Sequence, residues 1–119
     1  MKKLLFAAIF SMSLFADAKM LPSTPFSEIQ KAIASGKRVL VEVGSDHCLS
    51  CQKMGKLFYT IKQEHPNFQI FFLNIEQNKD AAKKLQIMLI PTQILYEKKK
   101  EVYRHIGVLS KKEVIELLK

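Results

Sequence analysis

Val39-Leu40-Val41-Glu42-Val43-Gly44-Ser45-Asp46-His47-Cys48-Leu49-Ser50-Cys51 passes from a β-branched, aliphatic stretch into a pair of cysteines. An almost unbroken Val/Leu run is the pattern of a strand covered on both faces. One acid, Glu42, interrupts it. Both cysteines of this 119-residue chain stand at the end of the stretch, with two residues between them. As a staple the pair would add little, about 2 kcal/mol for so small a loop against about 3 kcal/mol for a 15-residue one. Thiol chemistry is the better reason for the spacing.

On the C-terminal side, Cys51, Met54, Leu57, Phe58 and Ile61 recur at helical spacing from Cys48 to about Glu64, and His65-Pro66-Asn67 ends the run. A second buried strand is predicted over Phe68 to Ile75. Asn78 is placed to cap a short helix through Leu85, and Met88-Leu89-Ile90-Pro91 leads into strands over Thr92 to Tyr96 and Glu101 to Ile106. Ser110-Lys111-Lys112-Glu113 has the form of a capping box, with Val114, Leu117 and Leu118 as the buried stripe of a last helix. On the N-terminal side, Thr24 reads as N-cap and Pro25 as the first residue of a helix carrying Phe26, Ile29 and Ile33, stopped by Gly36. The order α-β-α-β-α-β-β-α predicts an α/β sandwich. Its first two strands need a parallel crossover through the cysteine-bearing helix, and the last pair is close enough for an antiparallel hairpin.

Ahead of this domain, Met1-Lys2-Lys3, the apolar run Leu4 to Phe15 and the small residues Ala16 and Ala18 have the form of a secretory leader. The run is shorter than the ~18 residues of a membrane-spanning helix. Cleavage after Ala18 would release residues 19–119 as one small domain with a single core, expected to be a periplasmic or otherwise secreted monomer. The net charge of +8 stays strongly basic without Lys2, Lys3 and Asp17. The lysines are scattered apart from Lys98-Lys99-Lys100, which reads as a hairpin tip, and no basic stripe with interleaved aromatics argues for nucleic acid.

Residues three apart on a helix have Cβ atoms about 5–6 Å apart, so a small adjustment of the first turn brings two thiols to disulfide distance. At the N-terminus of its helix, Cys48 would meet free N–H donors and the positive end of the dipole, which favour thiolate. Cys48 is then the attacking sulfur and Cys51, on the core-facing stripe, the resolving one. Glu42 is either a desolvated acid able to exchange a proton with Cys51 or a residue solvating a half-exposed strand. His47 either stabilises the thiolate or is an exposed loop residue.

The sequence resembles the thioredoxin family over nearly all of residues 19–119. Glu42 stands six residues before Cys48-x-x-Cys51, Phe72-Leu73-Asn74-Ile75-Glu76-Gln77-Asn78 is similar to the end of the family's third strand, and Ile90-Pro91-Thr92 looks like its cis-proline loop. Gly107-Val108-Leu109-Ser110 resembles the turn before its last helix. The resemblance implies a thioredoxin-like three-layer sandwich, a mixed central sheet of about four strands flanked by helices. It also implies a cis peptide before Pro91, substrate pairing at Ile90 and Pro91 beside His47, and a buried-acid role for Glu42. His47 replaces the family's usual tryptophan, Leu49-Ser50 its Gly-Pro, Phe72 its lysine, and Gly55-Lys56 its helix-kinking proline.

The activity expected is that of an exported thiol:disulfide oxidoreductase that needs no diffusible cofactor. It would reduce disulfides of cysteine-containing exported proteins and be recharged by a membrane thiol-electron carrier. A thiol-disulfide oxidase on the same fold is one alternative. A soft-metal carrier is another, with Cys48 and Cys51 holding Cu(I) beside His47 or a methionine such as Met54. Two cysteines and three scattered histidines do not make a four-ligand zinc site.

Overall fold

The computed structural model describes residues 19–119; the predicted leader, residues 1–18, lies outside them. Its elements follow the expected order: α1 (Phe26–Ala34), β1 (Val39–Gly44), α2 (Leu49–Glu64), β2 (Gln69–Asn74), α3 (Lys79–Lys84), β3 (Thr92–Glu97), β4 (Lys100–Ile106) and α4 (Lys111–Leu118). The strands form one mixed sheet in the order β2-β1-β3-β4. β1 runs parallel to β2 and antiparallel to β3, and β3 and β4 form the hairpin.

Every residue of β1 is buried, because each face of the central strand meets a different helical layer. Leu40 joins Ile70, Phe72 and Leu95 against Met54, Phe58 and Ile61 of α2 and Val114 and Leu118 of α4. Val39, Val41 and Val43 turn the other way, with Leu73, Ile94 and Tyr96, onto Ile29 of α1 and Ala81 of α3. Strand alternation puts Glu42 on the same face as Leu40, the side covered by α2 and α4.

Three local readings are corrected. The first helix starts at Phe26, with Pro25 at the N-cap and no side-chain cap. Thr24 is drawn off because its N–H donates to the Phe72 carbonyl at 2.8 Å, and Ser23 bridges Phe72 in parallel, so the lead-in covers the free edge of β2. Asn78 occupies the N-cap of α3 without bonding its N–H groups. Its amide ties two other elements together, Oδ1 accepting from Phe26 N–H at 3.4 Å and Nδ2 donating to the Asn74 carbonyl at 3.0 Å. Finally, Lys100 belongs to β4 and pairs with Glu97, leaving Lys98 and Lys99 as a two-residue loop with φ of 52° and 71°. Positive φ at both positions gives a connection whose twist matches the flanking strands. The capping box at Ser110 forms as expected, Ser110 Oγ accepting from Glu113 N–H and the Glu113 carboxylate from Ser110 N–H.

Candidate active site

Cys48 is the N-cap of α2, in extended conformation, and its sulfur accepts the Cys51 N–H at 3.3 Å, with Ser50 Oγ 3.4 Å away. Partial burial works against ionisation, but the hydrogen bonds from Cys51 and Ser50 outweigh it and lower the Cys48 pKa. The loop holding Cys48 is fastened to the end of β2. Ser45 Oγ donates to Glu76 Oε1 at 2.6 Å, Asn74 Nδ2 donates to Asp46 Oδ2 at 3.1 Å, and His47 Nδ1 lies 3.1 Å from both Glu76 oxygens. The Ser45 and His47 contacts hold the Glu76 carboxyl below its usual range. His47 is thus a largely exposed loop residue whose ring is turned to Glu76, while the activation of Cys48 comes from its own helical turn.

Cys51, one turn into α2, is buried. Burial pushes its thiol up to about 12, with the hydrogen bond to Cys48 and the charges of Cys48 and Glu42 adding to the effect. Gly44 at the end of β1 makes this depth possible. A Cβ there would lie 3.0 Å from Cys51 Sγ and 3.1 Å from its Cβ, so only glycine lets the strand end close against the thiol. At Gly55, where the family has its kink, a Cβ would meet Met20, and the Gly55 carbonyl accepts the Leu21 N–H at 3.0 Å. The missing proline thus coincides with the docking point of the lead-in segment.

Glu42 is fully buried, which removes the half-exposed alternative. Burial raises its pKa well above the usual carboxylate value; a hydrogen bond from Gln93 opposes the rise and the Cys48 charge adds to it. Oε2 accepts from Gln93 Nε2 at 2.9 Å, and Oε1 has no hydrogen-bond partner among the described residues. Phe72 is its register partner on β2, so no cation offsets the burial from that side.

The Ile90–Pro91 peptide is cis, and the Pro91 carbonyl accepts the Gly107 N–H at 2.8 Å, joining the proline loop to the turn after β4. Pro91 is buried and Ile90 partly exposed. Leu49, which follows Cys48 at the start of α2, Met88 and Leu89 ahead of the cis peptide, and Val108 after β4 are exposed apolar side chains. Met54, weighed above as a metal ligand, is packed in the core with its sulfur accepting the Leu109 N–H.

Sequence reasoning missed Gln93, which is fully buried between strands. Besides Glu42, it donates from Nε2 to the Gly107 carbonyl at 2.9 Å and accepts at Oε1 from His105 Nδ1 at 2.8 Å. The available signal was a single polar residue in the otherwise apolar run from Gln93 to Tyr96, in a strand that has to pair with one carrying a single acid.

The chain has counterparts among known proteins in sequence and in fold. The Thioredoxin family model matches residues 20–119. Thioredoxin of Mycoplasmoides gallisepticum is 26% identical over 93 residues, covering 78% of this chain and 93% of that protein. Thioredoxin of Chlamydia trachomatis is 30% identical over 87 residues, covering 73% and 84%. Among solved structures, a mutant thioredoxin from Halobacterium salinarum superposes with a TM-score of 0.72 at 18% identity, covering 82% of this chain and 86% of that one. Trxlp from Edwardsiella tarda superposes with a TM-score of 0.70 at 26% identity, covering 81% and 95%. The fold, the Cys48/Cys51 geometry and the family match over residues 20–119 agree: the chain belongs to the thioredoxin family and is a thiol-disulfide oxidoreductase with the redox pair Cys48 and Cys51.

Proposed function

We propose that the protein is exported and reduces disulfides of cysteine-containing proteins outside the cytoplasm. The Cys48 thiolate attacks a substrate disulfide, forming a mixed disulfide and expelling one substrate thiolate. Cys51 gives its proton to Glu42 and attacks Cys48 Sγ, releasing the second substrate thiolate and leaving a Cys48–Cys51 disulfide. Two electrons pass to the substrate, and a membrane thiol-electron carrier restores the dithiol. Ile90 and Pro91 shape the peptide site, and His47 borders it as a polar contact where the family usually presents an indole.

One observation carries the reading: the buried Cys51 thiol, pushed up to about 12, has to lose its proton at neutral pH, and the buried Glu42 carboxyl, whose Oε1 has no partner among the described residues, is the base within electrostatic reach. Such a base is effective when its own pKa is raised toward the working pH. The leader-like sequence supports export. The test is the reduction potential of the pair, measured by equilibrating residues 19–119 in dithiothreitol or glutathione buffers. A value near about −270 mV is expected, whereas one near −120 mV would make the protein a disulfide donor and overturn the direction proposed. Cell fractionation with mass measurement of the N-terminus tests export, and a cytoplasmic protein still starting at Met1 would overturn it.

A further inference from the structure

The hydrogen bonds around Gln93 form a chain from the sheet's edge strand to the buried acid. Its amide faces three partners. Nε2 lies 2.9 Å from Glu42 Oε2 and 2.9 Å from the Gly107 carbonyl, and Oε1 lies 2.8 Å from His105 Nδ1. Two of the three are acceptors, so the amide has one consistent orientation, with NH₂ toward Glu42 and Gly107. The carbonyl oxygen then needs a donor, which fixes the proton of His105 on Nδ1.

We propose that Gln93 is a positioning residue for the exchange reaction. Oriented by the Gly107 carbonyl and His105, it holds the Glu42 carboxyl through Oε2 and leaves Oε1 as the atom that receives the proton. Its effect on rate rests on the Glu42 relay proposed above, but its hold on Glu42 does not.

The chemistry follows from which oxygen is occupied. An N–H donor on Oε2 stabilises the carboxylate more than the neutral acid, and it is the hydrogen bond that opposes the burial of Glu42. Titratable groups acting on Glu42 are Cys48 and Cys51 from α2 and, through Gln93, His105 on β4. Its register partners on β2 and β3, Phe72 and Gln93, carry no charge. Gln93 is thus the only direct hydrogen-bond donor to Glu42 among the described residues, and the Gly107 carbonyl and His105 Nδ1 together hold its orientation.

The experiment follows the side-chain carboxyl carbon of Glu42 by ¹³C NMR in the reduced protein as pH is varied, with exchange rates measured on the same samples. Gln93→Leu is expected to raise the Glu42 titration midpoint by about one pH unit. His105→Phe should shift it in the same direction by less, and His105→Gln, whose amide can still donate to Gln93, should restore it. An unmoved midpoint in folded Gln93→Leu overturns the proposal. If Gln93→Leu does not fold, His105→Phe decides alone, and an unmoved midpoint there overturns it equally. The relay fails separately: a moved midpoint with an unchanged pH profile of exchange would leave Gln93 holding Glu42 and remove Glu42 from proton transfer.

Discussion

Two cysteines one helical turn apart acquire opposite chemistries because their surroundings differ. Cys48 receives N–H donors at the start of α2, whereas Cys51 faces Gly44 and a buried acid. In the reduced protein, iodoacetamide is expected to alkylate Cys48 with a midpoint below that of a free thiol and to leave Cys51 untouched at neutral pH, as peptide mapping would show. Cys48→Ser should abolish exchange, and Cys51→Ser should accumulate mixed disulfides visible by mass spectrometry. A Cys51→Ser protein that traps none while the wild type turns over would contradict the two-step route. Glu42→Gln is expected to slow exchange at neutral pH by about 100-fold with the fold kept. The identity of the reacting sulfurs was legible in the sequence, since the spacing and the adjoining helix pattern imply them. The tether from Gln93 was not, because a glutamine in a strand reveals its partners only when the register with β1 and β4 is known.

The elements differ in how far local sequence controls them. The N-terminus of α4 is set by its own residues, and Ser110→Ala should cost about 1 kcal/mol in urea denaturation while leaving the exchange rate unchanged. The junction of β1 and α2 is set by packing. Gly44→Ala places a methyl against Cys51 Sγ, and overpacking of about 1–3 kcal/mol is expected together with an altered Cys51 alkylation profile. Equal stability and an unchanged profile would show that the junction is slack. The first helix illustrates the opposite limit. Thr24 and Pro25 carry the signs of a local start, but the backbone at residues 23 and 24 is taken by the edge of β2.

At the scale of the whole molecule, burying Glu42 under α2 ties folding stability to pH. Its folded pKa lies above its unfolded value, so the native state holds a proton that the unfolded chain has released, and stability falls as pH rises from the unfolded value through the folded one. Glu76 and Glu101, whose pKa values are lowered, act in the opposite sense, and their contributions fade only under more acidic conditions. Denaturant midpoints taken between about pH 5 and 8 should therefore decline for the wild type and flatten for Glu42→Gln, which should be the more stable protein at the upper end. A parallel decline in both would assign the pH dependence to other groups. By itself the sequence determined the order of the elements, the apolar run that becomes β1, the capping box of α4 and the cysteine pair, because periodicity and short spacings encode these locally. Only the tertiary structure decided that Glu42 is buried with no cation beside it among the described residues, that His47 turns to Glu76, that Gly44 admits Cys51, and that Gln93 and His105 reach the buried acid. Each of these depends on which residues of distant strands and helices are brought within a few ångströms, and that is fixed by register and packing rather than by neighbours along the chain.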